Sequence, residues 1–148
     1  MKLVVQRVKY ASVAVDGEIV GKINQGLMIL IGAKKGDTEK DVEYCVDKAI
    51  NLRIFTDEND KMNLSVKDIN GELLLISQFT LYGDTSHGRR PSFTEAEEPI
   101  HANELYEFFI EKSKESGLKV EKGIFGADMK VELLNDGPVT LIIESKNN

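Results

Sequence analysis

Residues 2–9 alternate weakly between apolar and polar positions and read as a strand. The stretch SVAVDGEIVGKI (12–23) has the pattern of a hairpin: β-formers flank Asp16-Gly17, a pair suited to the positive φ of a two-residue turn. GLMILIGA (26–33) is a short continuous apolar run bounded by glycines, which predicts a buried strand. Thr38 then opens a helix, with Asp41 as its capping-box partner. Val42, Cys45, Val46, Ala49 and Ile50 follow at helical spacing and form one apolar face. LRIFT (52–56) is strand-like and DENDKMN (57–63) is a polar turn. GELLLISQFTL (71–81), the most apolar stretch, reads as a central strand to its last residue. The loop YGDTSHGRRPSF (82–93) follows. Pro99 sits where a second helix starts, a position it tolerates. Leu105, Phe108, Phe109 and Lys112 mark the face of this helix, and Gly117 is its stop signal. Three more strands are predicted near 118–122, 128–134 and 139–144.

Many strands and two longer helices, without regular alternation between them, predict an α+β fold. The strand count points to a curled, barrel-like and mostly antiparallel sheet. No repeat, low-complexity tract or linker interrupts the pattern, so residues 1–148 are expected to form a single domain.

Composition narrows the function classes. No apolar run approaches the ~20 residues needed to cross a bilayer, so no membrane partner is expected. The segment MKLVVQRVKYASV lacks the continuous apolar centre of a signal peptide, and a cytoplasmic protein is the expectation. Cys45 is the only cysteine, which rules out an internal disulfide, and its place on the apolar helix face makes it a core residue. With His87 and His101 as the only histidines, the usual metal-ligand spacings are absent, and neither metal nor cofactor is expected. The net charge of −6 and pI of about 5.0 argue against broad binding to a nucleic-acid backbone. They are compatible with a partner touched at only a few phosphates.

Few segments carry evident chemistry. In NDGPVT (135–140), Asn-Asp-Gly between apolar runs normally marks a hairpin turn, yet Pro138 follows and has no N–H for a sheet ladder. Either this is a turn that blocks edge pairing, or the backbone itself does the work. In SQFTL (77–81), a strand would put Ser77, Phe79 and Leu81 on one face and Gln78 and Thr80 on the other. A Thr80 nucleophile needs an adjacent base, and no His or Lys lies near it in sequence. A Ser/His/Asp arrangement through His87 or His101 has no nucleophile-elbow motif to support it. Arg89 and Arg90 suit phosphate contacts as well as a solvated surface. Phe125 and Met129 in FGADM (125–129) have the character of core residues.

Taken together, SQFTL and NDGPVT resemble the two signature motifs of the bacterial and eukaryotic D-aminoacyl-tRNA deacylases. The resemblance extends through VVQRV (4–8), GRRPSF (88–93) and FGADM, and covers essentially the whole chain in order. It implies a barrel-like fold, a homodimer, and hydrolysis of the ester between a D-amino acid and the terminal adenosine of tRNA. It also implies action on glycyl-tRNA mischarged on the alanine tRNA. The partner is then the 3′ end of an aminoacyl-tRNA, with no DNA expected.

In that family the Gly-Pro bond is cis, and the carbonyls of Gly137 and Pro138 point into the active site of the partner subunit. A rigid obstruction there refuses an L side chain, which a fitted apolar pocket would discriminate by only ~1–3 kcal/mol. The resemblance implies a catalytic segment of Ser77, Gln78, Phe79 and Thr80, with Gly137, Pro138, Phe125 and Met129 contacting substrate. Backbone N–H groups near Phe79 and Thr80 would hold the oxyanion, Gln78 and Phe79 would bind the adenosine, and the RNA 2′-hydroxyl would assist attack. The alternatives are Thr80 as nucleophile in the same reaction, or a non-catalytic nucleic-acid-binding module on the same fold. The ending Lys146-Asn147-Asn148, without a basic extension, disfavours the module.

Overall fold

The computed structural model describes residues 1–145; Lys146-Asn147-Asn148 lie outside the described residues. Strand β1 (Lys2–Val15) is the organising element. It turns at Asp16-Gly17, both at positive φ (52° and 81°), into β2 (Glu18–Ile23), as the hairpin pattern predicts. Strand β3 (Gly26–Gly32) pairs with Lys2–Val8, while β2 pairs with Ala11–Val15. Beyond β3 come β6 (Glu72–Ser77) and β7 (Lys119–Lys122), both added in parallel, so the sheet is mixed with antiparallel pairs around β1. The sheet curls back on itself at its far edges. The Lys22 N–H of β2 donates to the Glu121 carboxylate of β7 at 3.1 Å. A small ribbon, β4 (Phe55–Thr56) with β5 (Met62–Leu64), brackets the predicted polar turn and is all that forms of the strand expected over 52–56.

Helix α1 (Glu39–Asn51) begins at the predicted cap: Thr38 and Asp41 form a capping box, with the Thr38 N–H donating to Asp41 at 2.9 Å. Its face of Val42, Cys45, Val46, Ala49 and Ile50 is buried as the spacing predicts. Burial pushes the Cys45 thiol up to about 12, which keeps it a neutral core side chain. Helix α2 (Pro99–Lys114) starts on Pro99, with Glu98 accepting from the Ile100 and His101 N–H groups. Its buried stripe is Leu105, Tyr106, Phe109 and Ile110, not the predicted face through Phe108 and Lys112. Phe108 flanks the core, and Lys112 lies over its ring toward Glu43.

The two helices pack on one side of the curled sheet, so β3 and β6 are buried on both faces. Leu27, Ile29, Leu73 and Leu75 face the helices, while Met28, Leu74 and Ile76 fill the barrel interior. That two-sided burial is why both strands are continuous apolar runs instead of alternating ones.

Two further expectations need correction. Strand β6 ends at Ser77, and Phe79–Tyr82 form a 3-10 helical turn. The Gln78 N–H makes the last ladder bond, to the Ile31 carbonyl at 2.7 Å; Leu81 and Gly83 N–H groups then bond back to Gln78 and Thr80. The strand-like alternation across Ser77–Leu81 therefore does not exist, and Phe79 and Thr80 are both exposed. Gly32 permits this turn to lie against β3: a Cβ there would stand 2.9 Å from the Leu81 Cβ and 3.0 Å from the Gln78 carbonyl oxygen.

The second correction concerns the last two predicted strands, which are one element, β8 (Lys130–Glu144), antiparallel to β1 along both halves. NDGP is not a hairpin but a bulge within it: Val8 pairs with Asn135 and Gln6 with Thr140. Asn135 closes the bulge by accepting from the Val139 N–H at 2.9 Å and donating to the Thr140 hydroxyl at 2.8 Å. Gly137 has φ +136°, a region that favours glycine, and the Gly137-Pro138 bond is cis.

Among the described residues no helix is long and apolar enough to cross a membrane. Beneath the sheet end, the Met1 ammonium is buried against Asp37 at 2.8 Å.

Candidate functional site

The end of β6, the 3-10 turn, the start of α2 and the 125–129 segment enclose a cavity of about 670 Å³. Ser77, Gln78 and Phe79 line it where β6 ends, and Phe125 and Met129 come from the other side. The structure thus brings together five of the predicted site residues from segments far apart in sequence.

Tyr106 of α2 fixes the wall behind them. Its hydroxyl is buried and donates to the Leu75 carbonyl at 2.7 Å, and its ring lies 6.1 Å from that of Phe125. Burial raises its phenol well above the usual range, so it serves as a neutral donor. The Gly123 N–H shares the same Leu75 carbonyl, which ties the segment leading to Phe125 onto β6. At the mouth, Phe79 and Phe93 meet edge to face with ring centroids 5.2 Å apart.

Thr80 is placed differently. It is exposed, does not line the cavity, and its hydroxyl accepts a hydrogen bond from the Gln78 side-chain amide. The N–H groups of Gln78, Leu81 and Gly83 are engaged by backbone carbonyls. Phe79 and Thr80 open the turn, where N–H groups have no intrahelical acceptor. Lys2 holds the turn from below, its ammonium 4.9 Å from the Tyr82 ring centre and 3.4 Å from the Leu81 carbonyl oxygen.

Gly137 and Pro138 do not reach this cavity. They sit on the β8 bulge beside Arg7, whose Nε donates to the Asp136 carbonyl at 2.9 Å and whose Nη1 donates to the Ile54 carbonyl at 2.7 Å. Arg89 and Arg90 are exposed on the 82–93 loop. His87 is also exposed there, with Nδ1 2.9 Å from the Ser86 hydroxyl.

Sequence reasoning missed Phe93, Glu97, Tyr106 and Arg7 as site or support residues. For Arg7 a signal existed, since an arginine inside an apolar strand needs partners for its guanidinium. Phe93 ends GRRPSF, a segment of the resemblance that carries no evident chemistry at that position. Glu97 and Tyr106 had no local signal.

Glu97 lines the cavity and holds His101 at 2.6 Å. The hydrogen bond to Glu97 raises His101 above its ordinary value, and the same bond lowers Glu97. The histidine contribution to stability is complete below ~6.5 and lost as pH rises through the raised folded value. The carboxylate contribution is present above ~4.3 and lost as pH falls through the lowered one. The pair therefore acts most strongly between these limits. His101 is 39% exposed, which limits the size of the effect. His101→Gln should lower the thermal midpoint by ~1–2 °C, or about 0.5 kcal/mol, near about pH 5.5, and by less above about pH 8. Melting curves across pH check this; a loss that grows toward alkaline pH would contradict the assignment.

These features define a class: a single-domain α+β barrel with an aromatic-walled cavity at the end of a parallel strand, next to a turn with open backbone donors. Within that class, the chain belongs to the D-Tyr-tRNA(Tyr) deacylase family, whose profile matches residues 4–144. It is 60% identical to the D-aminoacyl-tRNA deacylase of Aquifex aeolicus, over 99% of each chain. It is also 60% identical to that of Clostridium beijerinckii, over 100% of this chain and 99% of the relative. Among solved structures, one described as the c-Myc DNA Unwinding Element Binding Protein superposes with a TM-score of 0.93 at 42% identity, covering 99% of this chain and 100% of the other. A structure described as a probable eukaryotic D-amino acid tRNA deacylase has a TM-score of 0.83 at 17% identity, covering 97% and 98%, and shares the fold.

Proposed function

We propose that the cavity is where the ester linking a D-amino acid to the terminal adenosine of tRNA is hydrolysed, releasing the free D-amino acid and tRNA. The observation that carries this reading is the cavity lined by the SQFTL motif residues Ser77, Gln78 and Phe79, in a chain matched by the deacylase family profile over 4–144. Gln78 and Phe79 bind the adenosine, with Phe125 and Met129 opposite. The Phe79 and Thr80 N–H groups stabilise the tetrahedral oxyanion, a type of contribution worth ~3–4 kcal/mol for one donor. The RNA 2′-hydroxyl assists attack. The site of action is the cytoplasm, where charged tRNA is used.

Chirality is read by a second copy of the chain. Gly137 and Pro138 lie away from their own cavity, so their carbonyls act in the site of the partner subunit of a homodimer. The exposed Leu134, Leu141 and Ile142 on the same strand support such a contact. An obstruction at the L side-chain position demands little of the D side chain and cannot refuse a missing one. Glycyl-tRNA mischarged on the alanine tRNA is therefore a substrate as well.

The test compares D-tyrosyl-, glycyl- and L-alanyl-tRNA at one enzyme concentration. The first two should turn over and the third should not; equal resistance of the glycyl and L-alanyl esters would remove the steric account. An enantioselective monomer in sedimentation would remove the action in trans.

A second reading, a non-catalytic nucleic-acid-binding module, is favoured by the 42% identity to a structure described as a DNA-element binding protein. The same assay separates the two, because a module would leave all three esters intact.

A further inference from the structure

Phe79 and Phe93 are 56% and 39% exposed, although their rings touch at the cavity mouth. Phe79 is accounted for by the terminal adenosine; Phe93 is not. It stands at the end of the loop from Gly83 to Phe93, whose base is closed by reciprocal backbone hydrogen bonds between Asp84 and Ser92, at 2.7 and 2.9 Å. The Phe93 ring lies close against Gly83: a Cβ on that glycine would sit 2.8 Å from its Cε1. The ring is thus held in place while much of it faces water.

The same loop carries Arg89 and Arg90, both exposed, in a chain of net charge −6. The nearby acidic groups have partners of their own. Asp84 accepts from the Ser86 N–H and hydroxyl, Glu95 pairs with Lys34 at 3.7 Å, Glu97 pairs with His101, and Glu98 caps α2. A fixed exposed aromatic ring beside a cationic loop is the combination that binds single-stranded nucleic acid: base stacking on the ring, phosphate on the charges.

We propose that Phe93 is the stacking platform for the nucleotide preceding the terminal adenosine, with Arg89 and Arg90 holding the phosphates on that side. This rests on the deacylase reading and extends it from the terminal nucleoside to a single-stranded 3′ end of at least two nucleotides. The occupant is RNA rather than an acidic peptide because the platform adjoins the adenosine site and continues one strand across it.

The experiment measures KM and kcat for two substrates, full D-tyrosyl-tRNA and the D-tyrosyl ester of adenosine alone, which has no preceding nucleotide. Phe93→Leu should raise the ratio of KM for tRNA to KM for the adenosyl ester by ~10-fold, the size of one lost base stack. Phe93→Tyr, which keeps the ring, should restore the ratio. Arg89→Ala and Arg90→Ala should each make the salt dependence of KM for tRNA shallower. Equal changes on both substrates would show that Phe93 only supports Phe79, and no change on either would show that no base stacks there; either overturns the inference alone. If the wild-type enzyme cleaved neither ester, the deacylase reading would fall and this inference with it.

Discussion

A D-aminoacyl-tRNA ending in 2′-deoxyadenosine, with its ester on the 3′ oxygen, should be cleaved several orders of magnitude more slowly than the ribose substrate. Thr80→Val should cost ~10-fold or less. The two expectations belong together because each removes one candidate hydroxyl. The Thr80 hydroxyl is exposed, lies off the cavity wall and accepts from the Gln78 amide, and among the described residues no basic side chain bonds to it. Valine keeps the branched shape and deletes that one hydrogen bond, worth about 1 kcal/mol. The Phe79 and Thr80 N–H groups remain, since they belong to the backbone of the turn. The deoxy substrate leaves every protein group in place and removes the hydroxyl proposed to assist attack. Single-turnover kinetics measure both, free of product release. Rapid cleavage of the deoxy substrate together with a dead Thr80→Val enzyme would reverse the assignment. So would an aminoacyl ester on Thr80 trapped by mass spectrometry.

The same segment shows how far local pattern reaches. The Thr38 cap, the Asp16-Gly17 turn and the buried runs of β3 and β6 were legible because each is dictated by residues within a few positions of itself. The end of β6 was not. Phe79, Leu81 and Tyr82 are good strand formers, and only the loss of a pairing partner past Ile31 lets the turn form. NDGP misled in the same way. Its sequence suits a hairpin, but both flanks find the one 14-residue strand β1, so the chain continues through a bulge held by Asn135. The candidate site was legible where short motifs mark it, in Ser77 to Phe79 and in Phe125 and Met129. Tyr106 and Glu97 have nothing in their own neighbourhoods that points to the cavity, and Phe93, although it ends GRRPSF, is brought there by the fold of its loop.

Asp37→Asn should strongly destabilise the molecule, costing ~3–5 kcal/mol. Asp37 is 1% exposed, and the Met1 ammonium 2.8 Å from its Oδ2 is fully buried. That ammonium also donates to the Ser145 hydroxyl at 2.8 Å, and the Met1 carbonyl accepts from the Ser145 N–H at 2.9 Å. The Asp37 carboxylate further accepts from the Lys34 N–H at 2.7 Å. One ion pair thus joins the start of β1, the turn before α1 and the segment after β8. Asparagine preserves the shape and removes the charge, leaving a buried ammonium without its counterion. In water the two ions would be well solvated, so the intact pair adds little net stability, whereas half of it is costly. For a chain of this length each kcal/mol corresponds to ~2–4 °C, so the thermal midpoint should fall by ~10 °C. Glu95→Gln, which breaks the exposed pair with Lys34, should move it by no more than ~2 °C. Met1 also lines the cavity, so the loosened floor should raise KM for tRNA even at temperatures where Asp37→Asn remains folded. Paired melting curves and kinetics measure both consequences. A midpoint within ~2 °C of wild type would show that the Met1 ammonium reaches water or another acceptor, and that the three segments are joined by packing alone.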